Sequence, residues 1–291
     1  MGEINLWSLG GVGLAGGLLG SMLGLGGGFF FVPLLTLVLD LPIHIAIGSS
    51  LVAVIANSIT ASGTHIKARL PNLRLGMFLL TATTIGAIVG AFIAARLASP
   101  ILTAIFGIAL VGISYSMLRR RQLAQERASL GGTSAGSDDS PSTGLGSSLT
   151  ASYYDRNLNQ VVIYNVNRVP HGWGINLLVG IASSLLGVGG GIFNIPVMNL
   201  VMRVPIRAAM ATNSFMVGIV ALAGACIYYY HGYIYPLTVA PIAVGAFIGA
   251  LIGAQLVQRA RSIMLRRIFA IVLFILAILM LLRAANIGLP I

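Results

Sequence analysis

Long stretches without any charged residue dominate this chain, and they limit what it can fold into. Only 8% of its 291 residues are charged and 57% are apolar, whereas a soluble domain carries about 25% charged residues. A helix needs about 20 apolar residues to cross a bilayer. The sequence therefore predicts an all-α polytopic membrane protein. The uncharged stretches run from Ile4 to Leu39 and over Ile45–Thr64, Leu75–Ala95, Leu97–Leu118, Gly172–Met202, Ala208–Tyr230, Gly232–Gln258 and the shorter Ile268–Leu282.

The net charge of +11 has a simple explanation in a membrane protein, because basic loops orient the helices. We therefore expect no nucleic-acid partner. The single cysteine, Cys226, lies inside an apolar stretch, so neither a disulfide framework nor a thiolate metal site is expected. The first residues, MGEINLWSLGG, lack the basic region of a cleaved signal peptide, and none is predicted.

An internal repeat divides the chain. Residues 17–43 read GLLGSMLGLGGGFFFVPLLTLVLDLPI, and residues 180–206 read GIASSLLGVGGGIFNIPVMNLVMRVPI. One offset of 163 residues superposes Gly26–Gly28 on Gly189–Gly191 and Pro33 on Pro196. Two such strings in register are not a chance match, so the sequence predicts two homologous halves, residues 1–118 and 172–291.

The segment between the halves, residues 119–171, differs in composition. Arg119–Arg121 end the fourth apolar stretch, and Ser129–Thr150 is rich in Ser, Gly, Thr and Asp. This composition predicts disorder because it offers little apolar surface to bury. Tyr153–Tyr154 and Val161–Val166 flank DRNLN and predict a small β-hairpin.

The first apolar stretch is too long for one straight crossing. A continuous helix from Ile4 to Leu39 would measure about 54 Å at 1.5 Å per residue, against a hydrocarbon core of about 30 Å. Three consecutive glycines are the expected break, because glycine is a poor helix former with a free φ angle. The proline that follows fits just inside a new helix, where N–H groups lack partners. Each half therefore begins with a helix, a GGG break and a second helix.

The distribution of basic residues decides whether these broken units cross the membrane or fold back. If both fold back as hairpins, all of the 17 Lys and Arg residues except Arg96 and Arg283 lie on one side, as expected for the cytoplasm. The count alone requires only the second hairpin, and repeat symmetry argues for the first. Each half then has a hairpin and three crossings, so the halves are inverted repeats with residues 119–171 in the cytoplasm and both termini outside.

The absence of acidic residues from the spans constrains the chemistry of a site. None of the six carboxylates lies deep in a predicted span, whereas proton pumps and carboxylate-based cation sites place an acid in the membrane. A helix N-terminus after a glycine break instead offers free N–H groups and a partial positive charge, which suit an anion. We therefore expect a substrate site near the midplane where the two breaks meet. Its backbone residues are Gly26, Gly27, Gly28, Gly189, Gly190 and Gly191.

Hydroxyl and amide side chains near the breaks complete the predicted site. They are Ser21, Ser49, Ser50, Asn57, Ser184, Asn194, Thr212 and Asn213, with Ser58 and Asn199 beside them. Such residues also hydrogen-bond between membrane helices or to their own backbone, and both interpretations stay open.

Other features point away from an enzyme. No GxSxG or HExxH motif lies at membrane depth, and GLGLGGG lacks both GxGxxG spacing and a P-loop lysine. We expect no enzymatic activity, no cofactor and no metal site. Tyr228–Tyr230, Tyr233 and Tyr235 predict an aromatic belt at the outer surface, with a gate on the substrate path as the alternative.

The strings GLGGGFFFVPLL and GVGGGIFNIPVMNL, the latter followed by PIRAAMATNSFMVG, resemble the sulfite exporter TauE/SafE family of the toluene sulfonate uptake permease superfamily. The resemblance spans residues 10–118 and 172–284. It implies transport of sulfite, sulfonates and other small organosulfur anions across the bacterial inner membrane, often outward.

These features together predict a secondary permease for a small sulfur-containing anion, working by alternating access at the facing breaks. The expected partners are this anion and the lipid bilayer, and a homo-oligomer is left open. One alternative is a membrane subunit or sensor that recruits a partner through residues 119–171. A metal-cation permease is a further alternative, disfavoured by the missing intramembrane carboxylates.

Overall fold

A computed structural model of the chain describes residues 6–23, 26–67, 71–129, 151–155, 160–257 and 262–285. The first half contains α1 (Leu6–Leu23), α2 (Gly28–Leu37), α3 (Ile43–Lys67), α4 (Leu73–Arg96) and α5 (Ser99–Ser129). Strands β1 (Ala151–Asp155) and β2 (Gln160–Tyr164) follow. The second half contains α6 (Val169–Leu185), α7 (Gly191–Pro196), a π-helical turn (Val197–Val201), α8 (Ile206–Tyr230), α9 (Pro236–Val257) and α10 (Ser262–Ala284).

Every helix of the second half begins 163 residues after a helix of the first. The first pair is α1 and α6, which begin at Leu6 and Val169, and the last is α5 and α10, which begin at Ser99 and Ser262. The offset read from the two GGG strings therefore extends to all five helices of each half.

Among the residues that the structure describes, five helices are long and apolar enough to cross a membrane. These spans are Ile43–Gly63, Leu73–Arg96, Ser99–Ser116, Ala208–Tyr230 and Pro236–Leu256. Large apolar side chains face outward on them, among them Ile108 and Leu237, which are 64% and 85% exposed. Soluble proteins rarely expose extended apolar surface, whereas lipid requires it. The chain is a multi-pass helical membrane protein.

The helices form two compact units. The larger contains residues 1–97 and 142–256, and the smaller contains residues 98–141 and 257–291. In the smaller unit α5 packs against α10: the Ser114 hydroxyl donates a hydrogen bond of 2.8 Å to the Ala270 carbonyl, and Gly107 lies against Leu281. This pairing makes the two helices antiparallel. Both units combine helices from both halves.

In the larger unit, α1 and α2 form a hairpin with the GGG segment at its tip. Gly20 lies against Gly27, and Gly16 lies against the Phe31 ring, so α2 runs back along α1. Gly26 and Gly27 have φ angles of +87° and +80°. Residues with a side chain rarely adopt such angles, whereas glycine adopts them freely. The glycines are therefore needed for the reversal.

The second half repeats this arrangement. Gly189 and Gly190 have φ angles of +72° and +84°, and the Val188 N–H donates to the Ser183 carbonyl at 3.0 Å. Gly172 near the start of α6 contacts Met202 beyond the π-helical turn. The chain after the break thus runs back along α6.

The two prolines lie deeper in their helices than the sequence predicts. Each new helix begins at the third glycine, Gly28 or Gly191, so Pro33 lies inside α2 and Pro196 is the last residue of α7. Proline lacks the N–H that an α-helix uses, and a π-helical turn follows Pro196, whereas α2 continues as an α-helix past Pro33.

Helices from opposite halves pack through matching glycines. In α4, a methyl group at Gly86 would collide with the Leu177 carbonyl of α6; in α9, one at Gly249 would collide with the Leu14 carbonyl of α1. The two contacts are related by the repeat offset, and each recurs one turn further along its helix pair. Such close approach requires small residues, so these glycines have a structural role in helix packing.

The central pair, α3 and α8, runs antiparallel. Gly48 near the start of α3 contacts Tyr228 at the end of α8. Further along α3, the Ser58 hydroxyl donates a hydrogen bond of 2.6 Å to the Ser214 carbonyl near the start of α8. The two helices begin 163 residues apart, so this contact pairs repeat-equivalent helices that run in opposite directions.

The segment between the halves contains the antiparallel pair β1–β2, in which Tyr153 is opposite Val162. Tyr164 and Val166 are buried in a core cluster with Leu75 and Met202, so the end of the hairpin is anchored to α4 and to the second break. The sequence predicts disorder for Ser129–Thr150; Ser129 is the last residue of α5, and residues 130–150 lie outside the described residues.

Candidate functional site

The two glycine breaks lie against each other in the larger unit. A methyl carbon at Gly26 would lie 3.0 Å from Val217 Cγ1, and one at Gly189 would lie 2.8 Å from Val54 Cγ1. Val54 and Val217 are themselves repeat equivalents, on α3 and α8. A side chain at Gly28 would collide with the Gly187 carbonyl of the other break. The crossing of the two hairpins therefore has no room for side chains.

Ser50 on α3 links the two breaks. Its hydroxyl lies 2.9 Å from the Gly187 carbonyl oxygen and 3.2 Å from that of Gly28. A single hydroxyl hydrogen is shared between these acceptors, one from each half. Ser50 is fully buried, so this predicted site residue has a structural contact at the centre of the protein.

A small cavity lies beside the first break, between α3 and α8. It is lined by Gly20, Ser21, Gly26, Asn57, Ser58, Ala61, Asn213, Ser214 and Val217. Its volume is about 10 Å³, roughly the space that one water molecule needs. The Asn57 Nδ2 group donates a hydrogen bond of 3.0 Å to the Gly26 carbonyl, so the amide is held at the wall next to the break.

Asn57 and Asn213 bring unpaired polar atoms to this cavity. Within the described residues, Asn57 Oδ1 and both amide atoms of Asn213 form no hydrogen bond, although the two residues are 1% and 0% exposed. Leaving a buried polar group unpaired costs about 1–3 kcal/mol, and such groups call for a functional or solvent explanation. They mark the cavity as the candidate binding site.

A second polar cluster surrounds the other break. Ser183 Oγ and Asn194 Nδ2 would lie 3.4 and 3.2 Å from a methyl carbon at Gly190. The hydroxyls of Ser183 and Ser184 and both amide atoms of Asn194 are buried without a hydrogen bond to any described residue. This cluster is the repeat counterpart of part of the cavity wall, since Ser183 and Ser184 correspond to Gly20 and Ser21.

The predicted residues thus fall into two groups. The cavity wall contains Ser21, Gly26, Asn57 and Asn213. Outside this wall lie the other predicted residues, Gly27, Gly28, Ser49, Ser50, Ser184, Gly189, Gly190, Gly191, Asn194 and Thr212. Thr212 accepts a hydrogen bond of 3.0 Å from the Asn72 N–H at the start of α4, which is a structural contact.

Four wall residues were not selected from the sequence: Gly20, Ala61, Ser214 and Val217. Helical spacing could have found two of them, because Ala61 follows Asn57, and Val217 follows Asn213, by one turn. Ser214 adjoins Asn213 directly. Gly20 carries no polar group and becomes part of the wall only because α1 crosses α3 there.

Aromatic side chains close the opposite end of α3. Tyr228 is fully buried, and its hydroxyl donates to the Ser184 carbonyl at 3.4 Å. The Tyr233 ring stacks on His44 with centroids 4.8 Å apart, and its hydroxyl donates to the Ala95 carbonyl at 3.3 Å. Other tyrosines of the predicted belt are exposed, namely Tyr229, Tyr230 and Tyr235.

The described part of the chain contains no group of three or more His, Cys, Asp or Glu that could hold a metal ion. The described residues of the cavity wall are all uncharged. Crossed helical hairpins and a neutral polar cavity inside a bundle of spanning helices define the class of membrane transporters with broken helices.

Comparison with known proteins agrees with this class. The sulfite exporter TauE/SafE family matches residues 9–280, so the chain belongs to this family. A probable membrane transporter protein of Bacillus subtilis, YunE, is 27% identical over 272 residues, covering 91% of this chain and 93% of the relative. A probable membrane transporter protein of Xylella fastidiosa is 26% identical and covers 91% of each chain.

A more distant relative is a probable membrane transporter protein of Methanocaldococcus jannaschii, 25% identical over 77% of this chain and 73% of its own length. No solved structure matches the chain. The family and the named relatives indicate a membrane transporter, in keeping with the expectation of a protein that is not an enzyme.

Proposed function

We propose that this protein is a secondary permease that carries small sulfur-containing anions, such as sulfite or an organosulfonate, across a bacterial inner membrane by alternating access. One observation carries the proposal: a small cavity, lined by Asn57 with its unpaired Oδ1 and by Asn213 with its unpaired amide, adjoins the point where the two glycine breaks meet. Transporters built from broken helices bind their substrates at such a point.

The inverted-repeat arrangement is part of the proposal. With one hairpin and three crossings in each half, equivalent helices run in opposite directions; with an even number of crossings they would run parallel. The antiparallel contacts of α3 with α8 and of α5 with α10 support an odd number of membrane crossings in each half. The folding of α2 along α1 supports a hairpin in the first half.

An anion fits the chemistry of the cavity. Amide and hydroxyl groups can donate hydrogen bonds to oxyanion oxygens, and α2 begins at Gly28 with its positive dipole end at the break. Ser21, Gly26, Asn57 and Asn213 are the proposed substrate contacts in this conformation. The polar residues of the second break, Ser184 and Asn194 among them, are proposed to contact the substrate as the protein changes conformation.

Alternating access requires that the two ends of the α3–α8 pair open in turn. At the start of α3 the buried Tyr228 and the stacked pair His44–Tyr233 close the path. The cavity lies towards the other end, which the basic residues assign to the cytoplasm. Since the cavity has room for about one water molecule, we propose that this conformation is closed at the outer end and nearly closed around the site.

Flux through proteoliposomes tests the proposal. Purified protein is reconstituted, and sulfite flux is measured with and without methanesulfonate and with and without a pH gradient. Flux above that of protein-free liposomes, lowered by methanesulfonate, is the expected result. Failure of both sulfite and methanesulfonate to cross overturns the assigned substrate class.

The substitution Gly190→Leu tests the role of the break. It adds a side chain at φ +84° next to Ser183 and Asn194, and we expect loss of flux without loss of membrane insertion. The matched control is Gly232→Leu, which has a similar φ of +74° but no atom within 4 Å of the added carbon. Intact flux in Gly190→Leu would contradict the proposed role.

A further inference from the structure

The cavity has a repeat counterpart that differs in polarity. Applying the offset to the wall residues places Val220 at the position of Asn57 and Ala221 at that of Ser58. Leu51 occupies the position of Ser214 in the same comparison. The polar wall at the first break is therefore not a by-product of the duplication. At these three positions one side of the crossing carries polar side chains and the other carries aliphatic ones, whereas Asn213 corresponds to the polar Ser50.

Each polar group of the wall has an identifiable hydrogen-bonding state. The Ser58 and Ser214 hydroxyls donate to the carbonyls of Ser214 and Met210 at 2.6 and 2.9 Å, so neither hydroxyl hydrogen points into the cavity. Asn57 Nδ2 donates to Gly26, which leaves its buried Oδ1 as an unpaired acceptor. The unpaired Asn213 amide supplies the free donor.

The lack of charged groups in the cavity wall limits the charge that a bound anion can carry. The described wall residues include no Lys, Arg or His, so no full positive charge on the wall offsets the desolvation of the anion. Because that cost grows with the square of the charge, it is roughly four times larger for a dianion than for a monoanion.

We infer that the cavity selects singly charged oxyanions and rejects dianions of the same size. Hydrogensulfite and alkyl sulfonates fulfil this condition, whereas sulfite in its fully deprotonated form and sulfate do not. The inference rests on the proposed function and adds the charge state of the substrate. It also means that sulfite crosses together with one proton.

A competition experiment on the wild-type protein tests the inference. Sulfite flux into proteoliposomes is measured with equal concentrations of methanesulfonate, which carries one charge, or sulfate, which carries two. We expect methanesulfonate to lower the flux and sulfate to leave it unchanged. Equal competition by sulfate would overturn the inference while leaving anion transport intact.

A second measurement varies pH on both sides of the membrane together, across the hydrogensulfite–sulfite equilibrium. As the pH rises, we expect sulfite flux at fixed total sulfite to fall in proportion to the hydrogensulfite fraction. The charge of methanesulfonate is constant over this pH range, so its flux is expected to stay level. A sulfite flux that follows total sulfite would overturn the inference. Absence of flux for both anions is a separate outcome that removes the proposed function and the inference with it.

Variants at Asn213 provide the residue-level test. Asn213→Asp adds a negative charge to the wall, and we expect methanesulfonate flux to fall to the protein-free level. Asn213→Ser keeps a hydrogen-bond donor and introduces the residue that the first half carries as Ser50; we expect measurable flux with a raised KM. Equal flux in the two variants would show that charge at this wall does not govern binding.

Discussion

The Ser50 hydroxyl lies 2.9 Å from the carbonyl oxygen of Gly187 and connects helix α3 of the first half to the glycine break of the second. The hydroxyl also reaches the Gly28 carbonyl at 3.2 Å. One buried side chain thus holds two chain reversals, one in each half of the chain. The contact explains how two helical hairpins keep a fixed crossing without side chains between them.

Replacing Ser50 with alanine removes this connection. We expect Ser50→Ala to lower the free energy of unfolding by about 1 kcal/mol, because two buried carbonyls lose a donor. Thermal unfolding of the detergent-solubilised protein measures the change. The matched control is Ser49→Ala: Ser49 is equally buried, but its hydroxyl forms no hydrogen bond with the described residues. Equal destabilisation of both variants would contradict the assigned role of Ser50.

The glycine contacts between opposite halves predict a symmetric effect. Gly86→Ala and Gly249→Ala each place a methyl group against a carbonyl oxygen of α6 or α1, and overpacking of this kind costs about 1–3 kcal/mol. We expect both variants to lose a similar amount of thermal stability. Gly174→Ala, where the added carbon has no neighbour within 4 Å, is the control. If only one of the two variants were destabilised, the proposed inverted-repeat relation of the two halves would be wrong at these contacts.

Cysteine accessibility tests the proposed orientation. The native Cys226 is exposed, so it is first replaced by serine. A cysteine at the exposed Ala98, between α4 and α5, is expected to react with a membrane-impermeant maleimide in intact cells. A cysteine at the exposed Asn165, after the β-hairpin, is expected to react only after permeabilisation. The reverse pattern would place residues 119–171 outside the cytoplasm.

A deletion in the segment between the halves distinguishes a transporter from the alternative, a subunit that recruits a partner. We expect deletion of residues 130–150 to leave sulfite flux unchanged, because these residues belong to neither half of the repeat. The deletion keeps β1, β2 and the buried Tyr164 and Val166, so the anchored hairpin remains. Loss of flux in a correctly inserted deletion protein would favour the recruiting role.

The repeat offset predicts more of the fold than any local pattern in the sequence. A spacing of 163 residues, read from the GGG strings, recurs at the first residue of all five helix pairs. Glycine also predicts the chain reversals, because Gly26 and Gly190 adopt positive φ angles. The positions of the prolines follow less directly, since a helix that begins at Gly28 places Pro33 beyond its first turn.

The candidate site is predicted only in part, because repeat equivalents acquire different neighbours. Ser50 and Asn213 correspond by the offset, yet Ser50 contacts the Gly187 and Gly28 carbonyls whereas Asn213 lines the cavity. Likewise, Thr212 accepts a hydrogen bond from the Asn72 N–H, whereas the hydroxyl of its repeat equivalent, Ser49, is unpaired within the described residues. Tertiary contacts decide these roles, and a single sequence does not contain them.

Sulfite flux in proteoliposomes, compared between the wild-type protein and Asn57→Leu, tests the central claim most directly. Leucine has nearly the shape of asparagine but removes both amide atoms from the cavity wall. Each protein is first shown to elute as a folded species in detergent. The control is Asn176→Leu, at an equally buried asparagine whose Oδ1 is also unpaired within the described residues and which lies outside the cavity wall. We predict flux for the wild type and the control and only the protein-free level for Asn57→Leu. Wild-type flux in folded Asn57→Leu would contradict the claim that anions cross through this cavity.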